Sequence, residues 1–138
     1  MSDNPATVLV VDDEPSDLEM LRKSLERLGY QVATAGDGFA ALQKFERHGR
    51  LIKLLVADVA MAPMNGCDLA LRLTAKQPDL KVLFVSGFTG AEVLRRGPVQ
   101  GLNAAYLRKP FTFEQLAAKV HELSASTGIP SNLKLNGV

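Results

Sequence analysis

The chain has 138 residues, 46% hydrophobic and 22% charged, with 16 basic and 15 acidic side chains for a net charge of +1. That length fits one domain with its own core, and the composition excludes bulk disorder. The charge balance lacks a basic stripe, so nucleic acid is not an expected partner. The longest apolar runs are strand-length, so no membrane insertion is expected. Met1-Ser2-Asp3-Asn4-Pro5 has no basic region or apolar stretch of a secretory signal, and the expected location is the cytoplasm. Cys67 is the single cysteine, which excludes a disulfide framework and reads as a small core residue.

In chain order, Thr7–Val11 is an apolar strand followed by Asp12-Asp13-Glu14. Pro15 suits the first turn of a helix that carries Leu18, Leu21, Leu25 and Leu28 on one stripe and stops at Gly29. Glu19 and Lys23 form an i,i+4 pair on its outer face. Gln31–Ala35 is a weaker strand, expected at a sheet edge. A second helix from Gly38 to His48 should bury Ala41, Leu42 and Phe45. Lys53–Asp58 is the third strand, and a loop with Pro63, Asn65 and Gly66 leads to a third helix built on Leu69 and Leu73.

Leu80–Ser86 is the fourth strand. Thr89 and Glu92 have capping-box spacing for a short fourth helix, which Gly97-Pro98 must break. Ala104–Leu107 is the fifth strand. Thr112 with Gln115 makes a second capping box, and Phe111 with Leu116 has the spacing of a hydrophobic staple for a last helix lined by Leu116, Val120 and Leu123. His48, His121 and Arg95-Arg96 read as helix-surface residues, and Met61 and Met64 as loop packing. Residues 1–124 are expected to form the folded unit, and 125–138 a flexible tail. Strict alternation of five strands and five helices predicts an α/β, flavodoxin-like, doubly wound parallel sheet in the order 2-1-3-4-5.

Four polar points then fall at strand ends: Asp12-Asp13, Asp58, Ser86 and Lys109. In a parallel sheet those ends share one edge, where ligands bind. Three carboxylates, a hydroxyl and an ammonium would meet there. Taken alone, an Asp-Asp pair is as well explained as a helix cap, Ser86 as a loop hydroxyl and Lys109 as a surface cation. Their joint placement points instead to a phosphoacceptor site. Two unit charges about 4 Å apart repel by roughly 4 kcal/mol at an effective dielectric near 20, and Lys109 alone cannot offset three of them. A phosphoryl group would add about −1.5 to −2 charges, using the value for phosphorylated hydroxyls. A hard divalent cation with oxygen ligands resolves both, and Mg²⁺ suits such a site. Zinc is disfavoured, because Cys67, His48 and His121 lie outside the cluster.

The chain closely resembles the receiver domain of two-component response regulators. The residues that carry the resemblance are Val8-Leu9-Val10-Val11-Asp12-Asp13-Glu14, Asp58 with Met61, Met64 and Gly66 behind it, Val85-Ser86-Gly87, and Tyr106-Leu107-Arg108-Lys109-Pro110-Phe111. They span about residues 6–123, with a chemotaxis-type single-domain fold. The Ser-Gly-Phe-Thr run and the irregular stretch Gly97–Asn103 are closer to receivers of hybrid histidine kinases. Two further departures are Ala62 before Pro63 and Gly87 where alanine is usual.

The resemblance implies that Asp58 accepts a phosphoryl group from a phosphohistidine of a histidine kinase or a histidine phosphotransfer protein. It implies Mg²⁺ held by Asp12, Asp13, Asp58 and the backbone carbonyl of Ala60. It gives Ser86 and Lys109 to the phosphoryl oxygens, a cis Lys109–Pro110 bond, and Ser86 with Tyr106 as the switch. The output is a protein surface acting on an unknown downstream target, so the chain catalyses only its own phosphorylation and dephosphorylation. Two alternatives stand against this reading. A haloacid-dehalogenase-like Mg²⁺-dependent phosphatase would carry Asp-x-Asp rather than Asp12-Asp13-Glu14. A pseudo-receiver acting as a binding module would not need the intact set Asp12, Asp13, Asp58, Ser86 and Lys109.

Overall fold

Period-two alternation in unbroken apolar strands assigns their residues to two separate hydrophobic layers. The computed structural model describes residues 7–87 and 103–125. Its elements are β1 (Thr7–Val11), α1 (Pro15–Arg27), β2 (Gln31–Ala35), α2 (Gly38–His48), a 3-10 turn (Gly49–Leu51), β3 (Ile52–Asp58), α3 (Gly66–Lys76), β4 (Lys81–Ser86), β5 (Asn103–Arg108) and α4 (Phe113–Ala125). All pairings are parallel, in the order β2-β1-β3-β4-β5. The expected fourth helix lies outside the described residues, and α4 is the helix expected as the fifth.

Leu9, Val11, Leu55, Ala57, Val82 and Phe84 face the layer of α2 and α3, where they meet Ala41, Phe45, Leu69 and Leu73. Val8, Val10, Leu54, Val56, Leu83 and Val85 face α1 and α4, against Leu21, Leu25, Leu116 and Val120. A strand buried on both faces cannot alternate with polar residues, which explains why β1, β3 and β4 read as continuous apolar runs. Each fully buried Leu or Val side chain contributes about 1.5–3 kcal/mol from loss of hydration alone. β2 and β5, the edges, are only half-buried.

Local chemistry sets the helix ends. Gly29 at φ 102° follows α1, with Gly29 N–H donating to the Glu26 carbonyl and Tyr30 N–H to that of Leu25. This is the paired bonding of a Schellman stop, which needs a left-handed residue. Asp37 caps α2 by accepting from Ala40 N–H at 2.8 Å, and Asn65 caps α3 by accepting from Asp68 N–H at 2.8 Å. At α4 the Thr112–Gln115 capping box forms both of its reciprocal bonds. Arg22, rather than Lys23 alone, joins Glu19 and Glu26 on the outer face of α1.

The element bounds differ from expectation by one or two residues. β3 begins at Ile52, β4 at Lys81 and β5 at Asn103, and α4 continues to Ala125, one residue into the expected tail. Leu42 is half-buried rather than buried, packed at the margin of its layer. Lys81 is nearly inaccessible, and its ammonium donates to the Leu123 carbonyl at 2.9 Å in the last turn of α4. A cation there also complements the helix dipole.

Candidate functional site

The register of β1, β3 and β4 brings Asp12, Asp58 and Ser86 to one edge of the sheet, because each follows or ends a strand at its carboxyl end. Asp12 and Asp58 are buried, Ser86 is wholly inaccessible, and Asp13 is exposed. Asp12, Asp13 and Asp58 each offer a carboxylate oxygen within 4.8 Å of the others. One oxygen of Asp12 accepts from Glu14 N–H at 3.0 Å, an Asx-type turn that pins the side chain at the start of α1. Its other oxygen accepts from Lys109 Nζ at 2.9 Å. Asp58 Oδ1 accepts from Ala60 N–H at 3.3 Å, while Oδ2 lies 3.8 Å from Lys109 Nζ.

Lys109 follows the last residue of β5 by one position. Its N–H donates to the Ser86 carbonyl at 2.9 Å, which extends the β4–β5 ladder and aims the side chain across the sheet edge. The Lys109–Pro110 bond is cis, as the resemblance implies, and so is Ala62–Pro63. Tyr106 places its hydroxyl on the same Ser86 carbonyl at 3.1 Å.

The electrostatics follow from this crowding. Burial pushes the Asp58 carboxyl above the usual carboxylate range; Lys109 opposes the shift, and Asp12 and Asp13 add to it. Burial works against the charge on Lys109, but hydrogen bonds to Asp17 and Asp12 and the field of Asp58 outweigh it, and its pKa is pushed up to about 12.

Asp17 was not among the expected site residues. Its Oδ2 accepts from Lys109 Nζ at 2.8 Å, as close as Asp12. The signal for it is the acidic bias of the first twenty residues, where Asp17 falls in the first turn of α1, five positions after Asp12.

Gly66 fixes the loop after β3. A Cβ there would lie 2.4 Å from the Asp58 carbonyl oxygen and 3.0 Å from Val59 Cα, both backbone atoms that cannot swing aside. Only glycine lets α3 start against the turn that carries Asp58. Gly66→Ala is expected to destabilise the protein by about 1–3 kcal/mol, the usual cost of overpacking. It should also impair site chemistry, because the displaced turn holds Asp58. Urea unfolding with a phosphorylation assay checks both effects, and a silent substitution would count against this close approach.

A second concavity, at the opposite edge of the sheet, is lined in part by Phe45, Arg50, Lys53, Lys76 and Gln77. Arg50 lies just beyond the end of α2 and Lys76 ends α3, where positive charge offsets the helix dipoles, while Lys53 lies in β3; Lys76 also faces Glu46 at 3.9 Å. Among the described residues no helix is long and apolar enough to cross a membrane.

A five-stranded doubly wound sheet with an acidic cluster at its carboxyl edge defines the class. Residues 8–121 match the response regulator receiver domain, and the chain belongs to that family. It is 34% identical over 128 residues to the probable transcriptional regulatory protein TcrX of Mycobacterium tuberculosis, covering 91% of this chain and 52% of that protein. It is 31% identical over 116 residues to the response regulator receiver protein CpdR of Brucella abortus, covering 84% of this chain and 94% of the relative. The chain thus spans about half the length of the first relative and nearly all of the second. The response regulator TrrA of Thermotoga maritima, solved in complex with Mg²⁺ and BeF, superposes with a TM-score of 0.74 at 30% identity, covering 86% of this chain and 98% of that one. As a receiver domain, the chain has a signalling role in two-component systems.

Proposed function

We propose that Asp58 accepts a phosphoryl group from a phosphohistidine, with Mg²⁺ bound at Asp12, Asp13, Asp58 and the Ala60 carbonyl. One observation carries this reading: three carboxylate oxygens within 4.8 Å of one another, with the Lys109 ammonium on their rim. The donor set fits the ion. Hard carboxylate oxygens, incompletely neutralised, with one member exposed to admit waters and a phosphate oxygen, match what Mg²⁺ requires. When bound, the ion offsets the negative charge of the carboxylates and of the phosphoryl oxygens.

The chain's own groups account for the rest. A carboxylate oxygen of Asp58 forms the new bond to phosphorus as the phosphorus–nitrogen bond breaks. The electron pair stays on the imidazole nitrogen, which takes a proton from water. Lys109 pairs with one phosphoryl oxygen and the Ser86 hydroxyl with another. Hydrolysis of the same acyl phosphate, by in-line attack of water, returns the carboxylate and inorganic phosphate. Catalysis is confined to this cycle.

The phosphodonor is a histidine kinase or a histidine phosphotransfer protein, and the setting is the cytoplasm. The target is a protein that reads the altered surface, neither nucleic acid nor membrane. Signal leaves through Ser86 and Tyr106, since any shift of the Ser86 backbone toward the phosphoryl group loads the Tyr106 hydroxyl bonded to it. The phosphoryl group can move this equilibrium only as far as its contacts differ between the two states.

Incubation with acetyl phosphate and Mg²⁺, read by intact mass, tests the assignment. One base-labile phosphoryl group per chain is expected, absent when EDTA is included. Continuous turnover of the donor without an adduct would point to a phosphatase instead, and no reaction at all to a binding module.

A further inference from the structure

Lys109 has more acidic neighbours than a phosphate-binding lysine requires. Its ammonium bonds Asp12 at 2.9 Å and Asp17 at 2.8 Å, yet stops 3.8 Å from Asp58 Oδ2. A separation of 3.8 Å is beyond hydrogen-bond reach. We propose that Asp17 is a positioning residue that holds the Lys109 ammonium off the attacking oxygen of Asp58 and in place for an incoming phosphoryl oxygen. This rests on the phosphoacceptor reading above.

The physical case has three parts. First, an attacking carboxylate oxygen that accepts a charge-assisted hydrogen bond has part of its electron density committed, and that bond must weaken before the oxygen can reach phosphorus. Keeping the ammonium about an ångström too far away avoids this cost. Second, the two acids differ in depth. Asp12 is fully buried under the sheet edge, whereas the Asp17 side chain is 35% exposed on the first turn of α1. The lysine is therefore drawn toward α1 and the rim. Third, a lysine side chain carries large rotamer entropy, and two fixed acceptors confine it before any ligand arrives. Without the Asp17 carboxylate, the remaining ion-pair partners of Lys109 among the described residues are Asp12 and Asp58 itself.

No group changes its bonding in the attack other than those already named. Asp58 forms the bond to phosphorus, the donor's bond to phosphorus breaks, and the leaving group keeps the electron pair. Asp17 acts only through Lys109.

The test compares phosphorylation rates from acetyl phosphate at saturating Mg²⁺ for the parent, Asp17→Asn and Asp17→Glu, and repeats Asp17→Asn in a Lys109→Ala background. Asp17→Asn should slow labelling roughly tenfold, the worth of one charge-assisted hydrogen bond. Asp17→Glu, which keeps the carboxylate, should restore most of that loss. In the Lys109→Ala background the effect of Asp17→Asn should disappear, because its route is gone. A helix-stabilising role for a first-turn acid would survive in that background and would show in thermal stability instead. An unchanged or faster rate in Asp17→Asn, an equal slowing without Lys109, or a matching loss of Mg²⁺ affinity would overturn the assignment while leaving Asp58 as acceptor. Failure of the parent to label at all would overturn the phosphoacceptor reading, and this inference with it.

Discussion

Asp58→Asn is expected to abolish phosphorylation and, in the same molecule, to raise the stability of the metal-free protein. The first effect follows from loss of the nucleophile with its shape retained. The second follows from the charge balance. Burial, with the negative charges of Asp12 and Asp13, outweighs Lys109 and raises the Asp58 pKa in the folded state. A carboxyl whose pKa is raised by folding destabilises the fold at any pH above that value, and the penalty disappears once the pH falls below its ordinary range. Replacing it with a neutral isostere should therefore stabilise the protein near neutrality by about 0.5–2 kcal/mol, the common gain from a single stabilising substitution. The gain should fade at acid pH, where the parent carboxyl is protonated in both states. Thermal unfolding with EDTA across the acid range checks the sign. A stabilised variant that still labelled fully would keep the electrostatics and remove Asp58 as acceptor.

Lys109→Met should have the largest effect on stability. It leaves buried Asp12 and Asp58, and half-buried Asp17, facing one another without their cation. Breaking a fully buried pair costs about 3–5 kcal/mol, and the partial exposure of Lys109 and Asp17 reduces that to about 2–4 kcal/mol here. Mg²⁺ should recover part of the loss, since it offsets the same carboxylates. The pH dependence has the opposite sign to that of Asp58. The folded-state pKa of Lys109 is raised from 10.5 to about 12, so its contribution is complete below 10.5 and is lost as the pH rises through 12. Parent and variant should converge in stability across that alkaline interval. The double variant Lys109→Met with Asp58→Asn should be more stable than Lys109→Met alone, because one of the stranded charges is gone. Chemical denaturation of the four proteins completes the cycle, and additivity would mean that Lys109 and Asp58 do not interact.

Most of the fold was legible because the core strands are buried on both faces. Val8-Leu9-Val10-Val11 and Val82-Leu83-Phe84-Val85 have no polar positions to obscure them, and the acid or hydroxyl after each run marks the sheet edge. The edge positions followed from the weaker composition of β2 and β5, each of which pairs with a neighbour on one side only. The exact bounds were not legible, since frayed element ends depend on packing rather than on local pattern. Ile52 joins β3 by pairing opposite Thr7 across an irregularity in register that no composition rule signals.

The candidate site was legible in its members but not in its wiring. Asp12, Asp13, Asp58 and Lys109 converge as expected, and Ser86 is beside them through its backbone bond to Lys109. Asp17 was missed because its position, five residues after Asp12, reads as an ordinary first-turn acid that favours the helix dipole. Its reach to Lys109 depends on how α1 leaves β1, a tertiary fact. Gly66 was seen as a loop residue, whereas its necessity comes from the Asp58 carbonyl 2.4 Å from where a Cβ would stand.

The central claim is that one carboxylate, Asp58, carries the phosphoryl group. The most direct measurement is borohydride reduction of the phosphorylated protein, which converts an aspartyl phosphate to homoserine, followed by peptide mapping. Homoserine at position 58 alone is the predicted result. Homoserine at Asp12 or Asp13, or phosphate retained on a serine, threonine or histidine, would contradict it.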